Sequence, residues 1–123
     1  MTLKECYAAM EGDYEDALSR LRSERLMKKF VLKFLDDPSH ELLCTSAAAK
    51  DGKEAFRAAH TIKGICQNLS MTRLYQSSNV LAEALRAGWS EEALPLIDEL
   101  EKDYQQTTEA IRSLKASEDG GNQ

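Results

Sequence analysis

The sequence predicts an all-α protein, specifically an antiparallel up-down four-helix bundle with short N-terminal helices covering one end. Only two prolines and six glycines interrupt the 123 residues, and good helix formers such as alanine, leucine and glutamate recur throughout. Apolar side chains repeat at steps of three and four, which places them on one face of a helix. With 42% apolar residues the chain can build one core, so we expect one domain, residues 1–115, and a disordered polar tail, residues 116–123.

The N-terminal half predicts two short helices followed by a long one. Residues 3–22 form the short pair, and Gly12 and Asp13 separate its two helices. Ser23 is a typical N-cap for the next helix, because its hydroxyl can accept from a free backbone N–H. We expect that helix to continue to about Lys50 with a kink at Pro38, and to end at Gly52.

Two later segments have a clear helical period. The first places apolar or small residues at positions 71, 74, 78, 81 and 85, and the second at positions 97, 100, 104, 107, 111 and 114. Gly88 is expected to end the first of these helices. The second is expected to start near Ser90, with regular helix delayed by Pro95.

Residues 52–69 predict an amphipathic helix that carries His60 on its outer face. At about 100° per residue, the side chains opposite His60 are mainly apolar: Ala55, Ala58, Ile62, Ile65, Cys66 and Leu69. Within about 60° of His60 lies an exposed stripe of Lys53, Phe56, Arg57, Lys63, Gly64 and Gln67. The ring is therefore predicted to stand in solvent.

Three neighbours of His60 indicate chemistry at this position. Gly64 lies inside a helix, where glycine costs about 1 kcal/mol relative to alanine, so it indicates the close approach of another molecule. Phe56, one turn earlier, is expected to be an exposed contact for a partner. Lys63 can place its ammonium beside a group attached to the imidazole. A neutral imidazole, attacking through Nε2, is then a plausible phosphoryl acceptor.

The segment from Ala58 to Leu69, AAHTIKGICQNL, closely resembles the AHTLKG signature of histidine-containing phosphotransfer (HPt) domains. The similarity extends over roughly residues 20–115. It implies a four-helix bundle with an exposed phosphorylatable histidine on which response-regulator receiver domains dock. By this resemblance His60 is the phosphorylated residue, Lys63 balances the charge and Gly64 admits the receiver.

The resemblance also suggests where a partner docks, and the sequence departs from the family pattern at two positions. We assign docking to Phe56, Arg57, Gln67 and Arg86, the last at a position where some members carry a basic residue. Many members have glycine where this chain has Ser70. Some hold the histidine ring with Gln or Glu where this chain has Ala82, so Gln67, a backbone group or water is expected to orient the ring instead.

The expected function is that of a phosphoryl carrier in a two-component phosphorelay, with His60 passing phosphate between receiver aspartates. The sequence has neither GxxxxGK[ST] nor GxGxxG, so we expect no ATP site, no enzyme activity of its own and no cofactor. Mg²⁺ is expected on the partner receiver. The expected partners are response-regulator receiver domains, a hybrid histidine kinase, or both.

Composition argues against several other classes. A net charge of -5 with scattered basic residues disfavours nucleic acid. The sequence contains neither a signal peptide nor an apolar membrane span, so a cytoplasmic location is expected. The three cysteines lack CxxC spacing and are expected to be reduced. We expect a monomer.

Two alternative functions stay open at this point. The same stripe could dock a signalling partner without His60 ever being phosphorylated. A di-iron bundle enzyme would need paired Glu-x-x-His motifs, whereas this chain has two histidines and no such motif, which leaves His40 as a surface residue near the kink.

Overall fold

The computed structural model describes residues 1–121, with side chains up to Glu118, and it confirms the all-α prediction. In the described part of the chain the helices are α1 (Leu3–Ala9), α2 (Tyr14–Leu21), α3 (Glu24–Lys33), α4 (Ser39–Ala48), α5 (Gly52–Asn68), α6 (Thr72–Leu85) and α7 (Ala93–Gly121), with a 3-10 turn at Phe34–Asp36.

Side-chain caps fix where several of these helices begin. The Ser23 hydroxyl accepts from the backbone N–H of Leu26 at 3.2 Å, which confirms the predicted start of α3. Asp51 caps α5 in the same way, through the N–H of Glu54. Helix α7 starts at Ala93, a few residues after Ser90, which agrees with the predicted delay of regular helix. Pro95 lies in its first turn, where the missing N–H costs no helical hydrogen bond.

Helices α4 to α7 form the antiparallel bundle. Helix α5 packs against α4 on one side and α6 on the other, and α6 packs against α7. The backbone of Gly52, at the start of α5, lies against that of Trp89, just after the end of α6, so these two helices run in opposite directions. Near the other end of α6, Arg73 Nε donates to the buried carboxylate of Asp103 in α7 at 3.1 Å.

The predicted single helix from Ser23 to Lys50 is wrong, because the chain breaks rather than kinks before Pro38. Asp37 is extended, with ψ of 129°, and its side chain accepts from the N–H of Ser39. A residue before proline is sterically driven out of the α region, so α3 cannot run into α4. Helix α3 instead packs with α2 and with α7.

The N-terminal helices cover the end of the bundle at the α5–α6 turn, as predicted. The Tyr7 hydroxyl donates to the carbonyl of Leu69 at 2.8 Å, and the N–H of Asp13 donates to the carbonyl of Ser70. Ser70 has φ of 52°, a left-handed conformation that glycine adopts most easily. The turn therefore keeps its geometry with serine at the position where many HPt domains have glycine.

Helix α7 is much longer than its bundle partners. Its 29 residues span about 43 Å, against about 25 Å for the 17 residues of α5. The additional length packs against α1 and α3. Ile111 and Leu114, both fully buried, belong to the one continuous core that also includes residues of the four-helix bundle.

The predicted tail, residues 116–123, is helical as far as Gly121, and the last two residues lie outside the described part of the chain. Contacts along the long helix explain why its end is ordered. The amino group of Met1 donates to the Ser117 hydroxyl at 2.9 Å, and Lys28 pairs with Glu118 at 2.7 Å. These contacts hold the last turns of α7 against the N-terminal segment and α3.

Two further findings concern cysteines and membranes. Cys6 and Cys66 are buried, Cys44 is exposed, and all three are free thiols. No helix in the described residues is both long and apolar enough to cross a bilayer.

Candidate functional site

His60 lies near the middle of α5 and is exposed, as the helical wheel predicts. Among the residues predicted to face the core, Ala55, Ala58, Ile62, Cys66 and Leu69 are buried. Ile65 is only partly buried. The imidazole is thus presented to solvent by a helix whose opposite face is anchored in the core.

An aromatic stack orients the His60 ring. The Phe56 and His60 ring centroids lie 5.6 Å apart with 21° between their planes. Within the described residues no protein group hydrogen-bonds to the His60 ring, so of the three expected partners neither Gln67 nor a backbone group contacts it in this way. Ala82 is fully buried in α6 and has no polar side-chain atom with which to hold the ring.

Phe56 is half-buried, which corrects the prediction that it is an exposed contact for a partner. One side of its ring faces His60, and the guanidinium of Arg86 lies over the ring, 5.3 Å from its centroid. Another part of its side chain packs against the core. Phe56 is therefore placed to position the histidine.

Arg86 comes to the site from α6 and is held there by Glu83, which the sequence analysis missed. The two side chains form an ion pair at 2.8 Å, and this pairing with Arg86 lowers the pKa of Glu83. The charge of Lys63 lowers the pKa of Glu83 further. Glu83 is therefore close enough to feel both Arg86 and Lys63, one cation from each of the two helices. The spacing of Glu83 and Arg86, three residues apart on one helix, was the available signal.

Gly64 leaves a gap in the surface one turn beyond His60. A Cβ atom added at this position would meet no neighbouring atom within 4 Å. No internal packing therefore requires glycine here. Gly52, in the same helix, is different, because an added Cβ there would lie 2.2 Å from the backbone nitrogen of Trp89. Packing therefore requires glycine at position 52.

The two remaining predicted docking residues are exposed but lie on either side of the site. Arg57, one turn before His60, is within 3.6 Å of Glu54. Gln67 lies two turns after His60, at a small surface pocket beside the α5–α6 turn that Asp16 and Ser70 also line. Both side chains are accessible to a partner.

An apolar cleft begins at Ile65, directly after Gly64, and it was not predicted from the sequence. Its volume is about 750 Å³, and it lies between α2, α3 and the last turns of α5. Its apolar lining includes Leu21, Phe30, Phe34, Ile65 and Leu69. Phe30 is 39% exposed, so part of its ring is open to solvent at this cleft.

Comparison with known proteins identifies the family. The family model of the Hpt domain matches residues 4–110, most of the chain. No curated protein and no solved structure matches the chain. Hpt domains serve histidine phosphotransfer in phosphorelays, where they interact with receiver domains and histidine kinases. With an exposed histidine on a helical bundle and this match over most of its length, the chain belongs to the Hpt domain family.

Proposed function

We propose that His60 carries a phosphoryl group between the aspartates of receiver domains, in the cytoplasm and as a monomer. The open surface at Gly64 beside the exposed imidazole carries this proposal most strongly. A mid-helix glycine costs about 1 kcal/mol, and no contact inside the molecule repays that cost. Access for another protein to the ring is a sufficient reason for it.

The transfer step requires an unhindered ring nitrogen and an acyl phosphate. An Nε2 lone pair of His60 attacks the phosphorus of a phosphoaspartate on the receiver. The N–P bond forms as the P–O bond to the aspartate breaks, and the aspartate leaves as a carboxylate. Transfer to the next receiver is the reverse reaction. Because the donor is already activated, the domain needs no nucleotide, and Mg²⁺ belongs to the receiver.

Lys63 and Arg86 supply the positive charge that the phosphoryl group needs. A phosphoryl group adds nearly two negative charges to a ring that was neutral. Lys63 is on the same helix face one turn away, and Arg86, at the end of α6, lies over the Phe56 ring that stacks on His60. Glu83 keeps Arg86 in place before the phosphate arrives.

We propose that the receiver also covers the apolar cleft beyond Gly64. The cleft is lined on α5 by Ile65, Asn68 and Leu69, which follow Gly64 in the sequence, and its exposed Phe30 offers a partner apolar area. Phe30→Ser is expected to weaken receiver binding at least about fivefold while leaving the fold intact. Unchanged binding would restrict the docking surface to the face around His60.

Transfer from a phosphorylated receiver tests the whole proposal. Receivers encoded by the same genome are phosphorylated with acetyl phosphate, freed of the donor, and mixed with the protein. The protein should acquire phosphate that is labile in acid and stable in base, as expected for phosphohistidine. His60→Gln should fold normally and acquire none.

The chain provides its own control, because it contains only one other histidine. His40→Gln should accept phosphate at the wild-type rate. Labelling of His60→Gln would overturn the assignment of the site. If no receiver labels the wild type although one binds it, the domain is instead a docking module without phosphotransfer.

A further inference from the structure

A second cluster of chemically active side chains lies on the other side of the bundle. His40 and Cys44 are one turn apart on α4, and Glu101 faces them from α7. The Cys44 sulfur is 3.7 Å from His40 Nε2, and the same nitrogen contacts a carboxylate oxygen of Glu101. One donor atom from each residue lies within 4.8 Å of the other two.

We propose that His40, Cys44 and Glu101 bind a transition-metal ion, with Zn²⁺ as the best fit. Nitrogen, sulfur and carboxylate oxygen together suit Zn²⁺ or Co²⁺, whereas Mg²⁺ and Ca²⁺ prefer oxygen ligands alone. Three protein ligands leave the fourth tetrahedral position for a water molecule. Sequence analysis does not find such a site, because its ligands come from two helices far apart in the chain.

The distances are compatible with a tetrahedral ion. With Zn–N near 2.0–2.1 Å and Zn–S near 2.3 Å, the nitrogen and sulfur ligands of one ion lie about 3.5 Å apart. The observed 3.7 Å between Cys44 and His40 nearly equals that value. The carboxylate of Glu101 must retreat from its direct contact to about 3.3 Å from the imidazole nitrogen. Its side chain is 39% exposed and has room to rotate.

Contacts behind the ligands hold two of them in position. The His40 ring lies flat on the ring of Tyr104, with centroids 3.8 Å apart and 9° between planes. The other carboxylate oxygen of Glu101 accepts from Gln105 Nε2 at 3.0 Å. Supporting contacts of this kind orient the ligands of metal sites.

The charge around the cluster favours a cation. Glu41 on α4 and Glu101 on α7 are two carboxylates whose negative charges both act on Cys44. When a divalent ion binds, the thiol proton is displaced to solvent and the thiolate coordinates the ion.

Titration of metal-free protein with Co²⁺, in the presence of a phosphine reductant, tests the site. Thiolate coordination produces a charge-transfer absorption band, and Zn²⁺ should abolish it by displacing Co²⁺. Cys44→Ser should lose the band, and His40→Gln and Glu101→Gln should each weaken binding at least about tenfold. Zn²⁺ should also raise the unfolding temperature of the wild type more than that of Glu101→Gln.

His60→Gln is the matched control, since it removes the only other imidazole and leaves the cluster intact. That variant should bind Co²⁺ as the wild type does. Absence of the band in folded wild type would overturn the proposal, as would a band that persists in Cys44→Ser. Circular dichroism of each variant confirms folding, so that loss of binding is not mistaken for unfolding.

Discussion

The Phe56 ring stacks on the His60 ring with centroids 5.6 Å apart, and the guanidinium of Arg86 lies over the same Phe56 ring. This relationship gives the site an aromatic means of orienting a histidine that no hydrogen bond holds within the described residues. It also joins α5 to α6, because Arg86 comes from the second helix.

Phe56→Ala is expected to slow phosphotransfer. A stack of this geometry is worth about 1 kcal/mol, so its loss should lower the initial rate about fivefold if the whole effect reaches the transition state. Rapid mixing with a phosphorylated receiver measures the rate. Phe56→Tyr keeps the stack and should retain the wild-type transfer rate. An unchanged rate in Phe56→Ala would remove Phe56 from the site.

Gly64→Gln is expected to obstruct the receiver. The new side chain would fill the open surface one turn from His60, so transfer should fall at least about tenfold while the fold is kept. Gly64→Ala adds one methyl group and should have a much smaller effect. If the two variants transfer equally fast, access to the ring does not depend on this position.

Stability should respond in opposite directions to alanine at the two glycines of α5. Gly64→Ala should raise the free energy of unfolding by about 0.5–1 kcal/mol, because alanine favours helix and meets no neighbour. Gly52→Ala should lower it by at least about 2 kcal/mol, since its Cβ would overlap the backbone of Trp89. Urea unfolding compares the two. Equal effects would contradict the packing described for α5.

Lys63→Gln is expected to reduce transfer to His60 about tenfold by removing a charge beside the phosphoryl oxygens. Lys63→Arg should retain most of the rate. Raising the salt concentration should reduce the difference in transfer rate between wild type and Lys63→Gln, because ions screen the charge of the lysine. A gap that does not change with salt would point to a steric role.

The protein should lose stability between about pH 9 and pH 11, in part because of Cys6. Burial raises the pKa of this thiol from 9.0 to about 11. The folded state therefore favours the protonated form, and its contribution is complete below pH 9 and is lost as the pH approaches 11. Cys6→Ala should show a flatter decline in urea unfolding across this range. If stability falls equally steeply with pH in wild type and Cys6→Ala, other groups control the decline.

Helical periodicity predicted the orientation of α5 well, because a residue's angle on a helix depends only on its sequence spacing. Periodicity could not place Arg86 over Phe56, since that contact depends on how α5 and α6 are rotated against each other. The same limit hid the cluster of His40, Cys44 and Glu101. What the sequence reveals about one helix is reliable, whereas contacts between helices require the packed structure.

Two differences between the predicted and the observed backbone have local causes that composition conceals. Pro38 suggested a kink, but the extended Asp37 before it separates two helices. The polar tail suggested disorder, but Ser117 and Glu118 contact residues from the beginning of the chain. In both cases a few specific contacts outweighed the average preference of the segment.

The hydrogen bond between the amino group of Met1 and Ser117 has a practical consequence for engineering. It joins Met1 to the last turns of α7, where Lys28 of α3 also pairs with Glu118. Removing the residues from Ser117 onward would break both contacts at once. An engineered form should therefore keep α7 at least as far as Glu118.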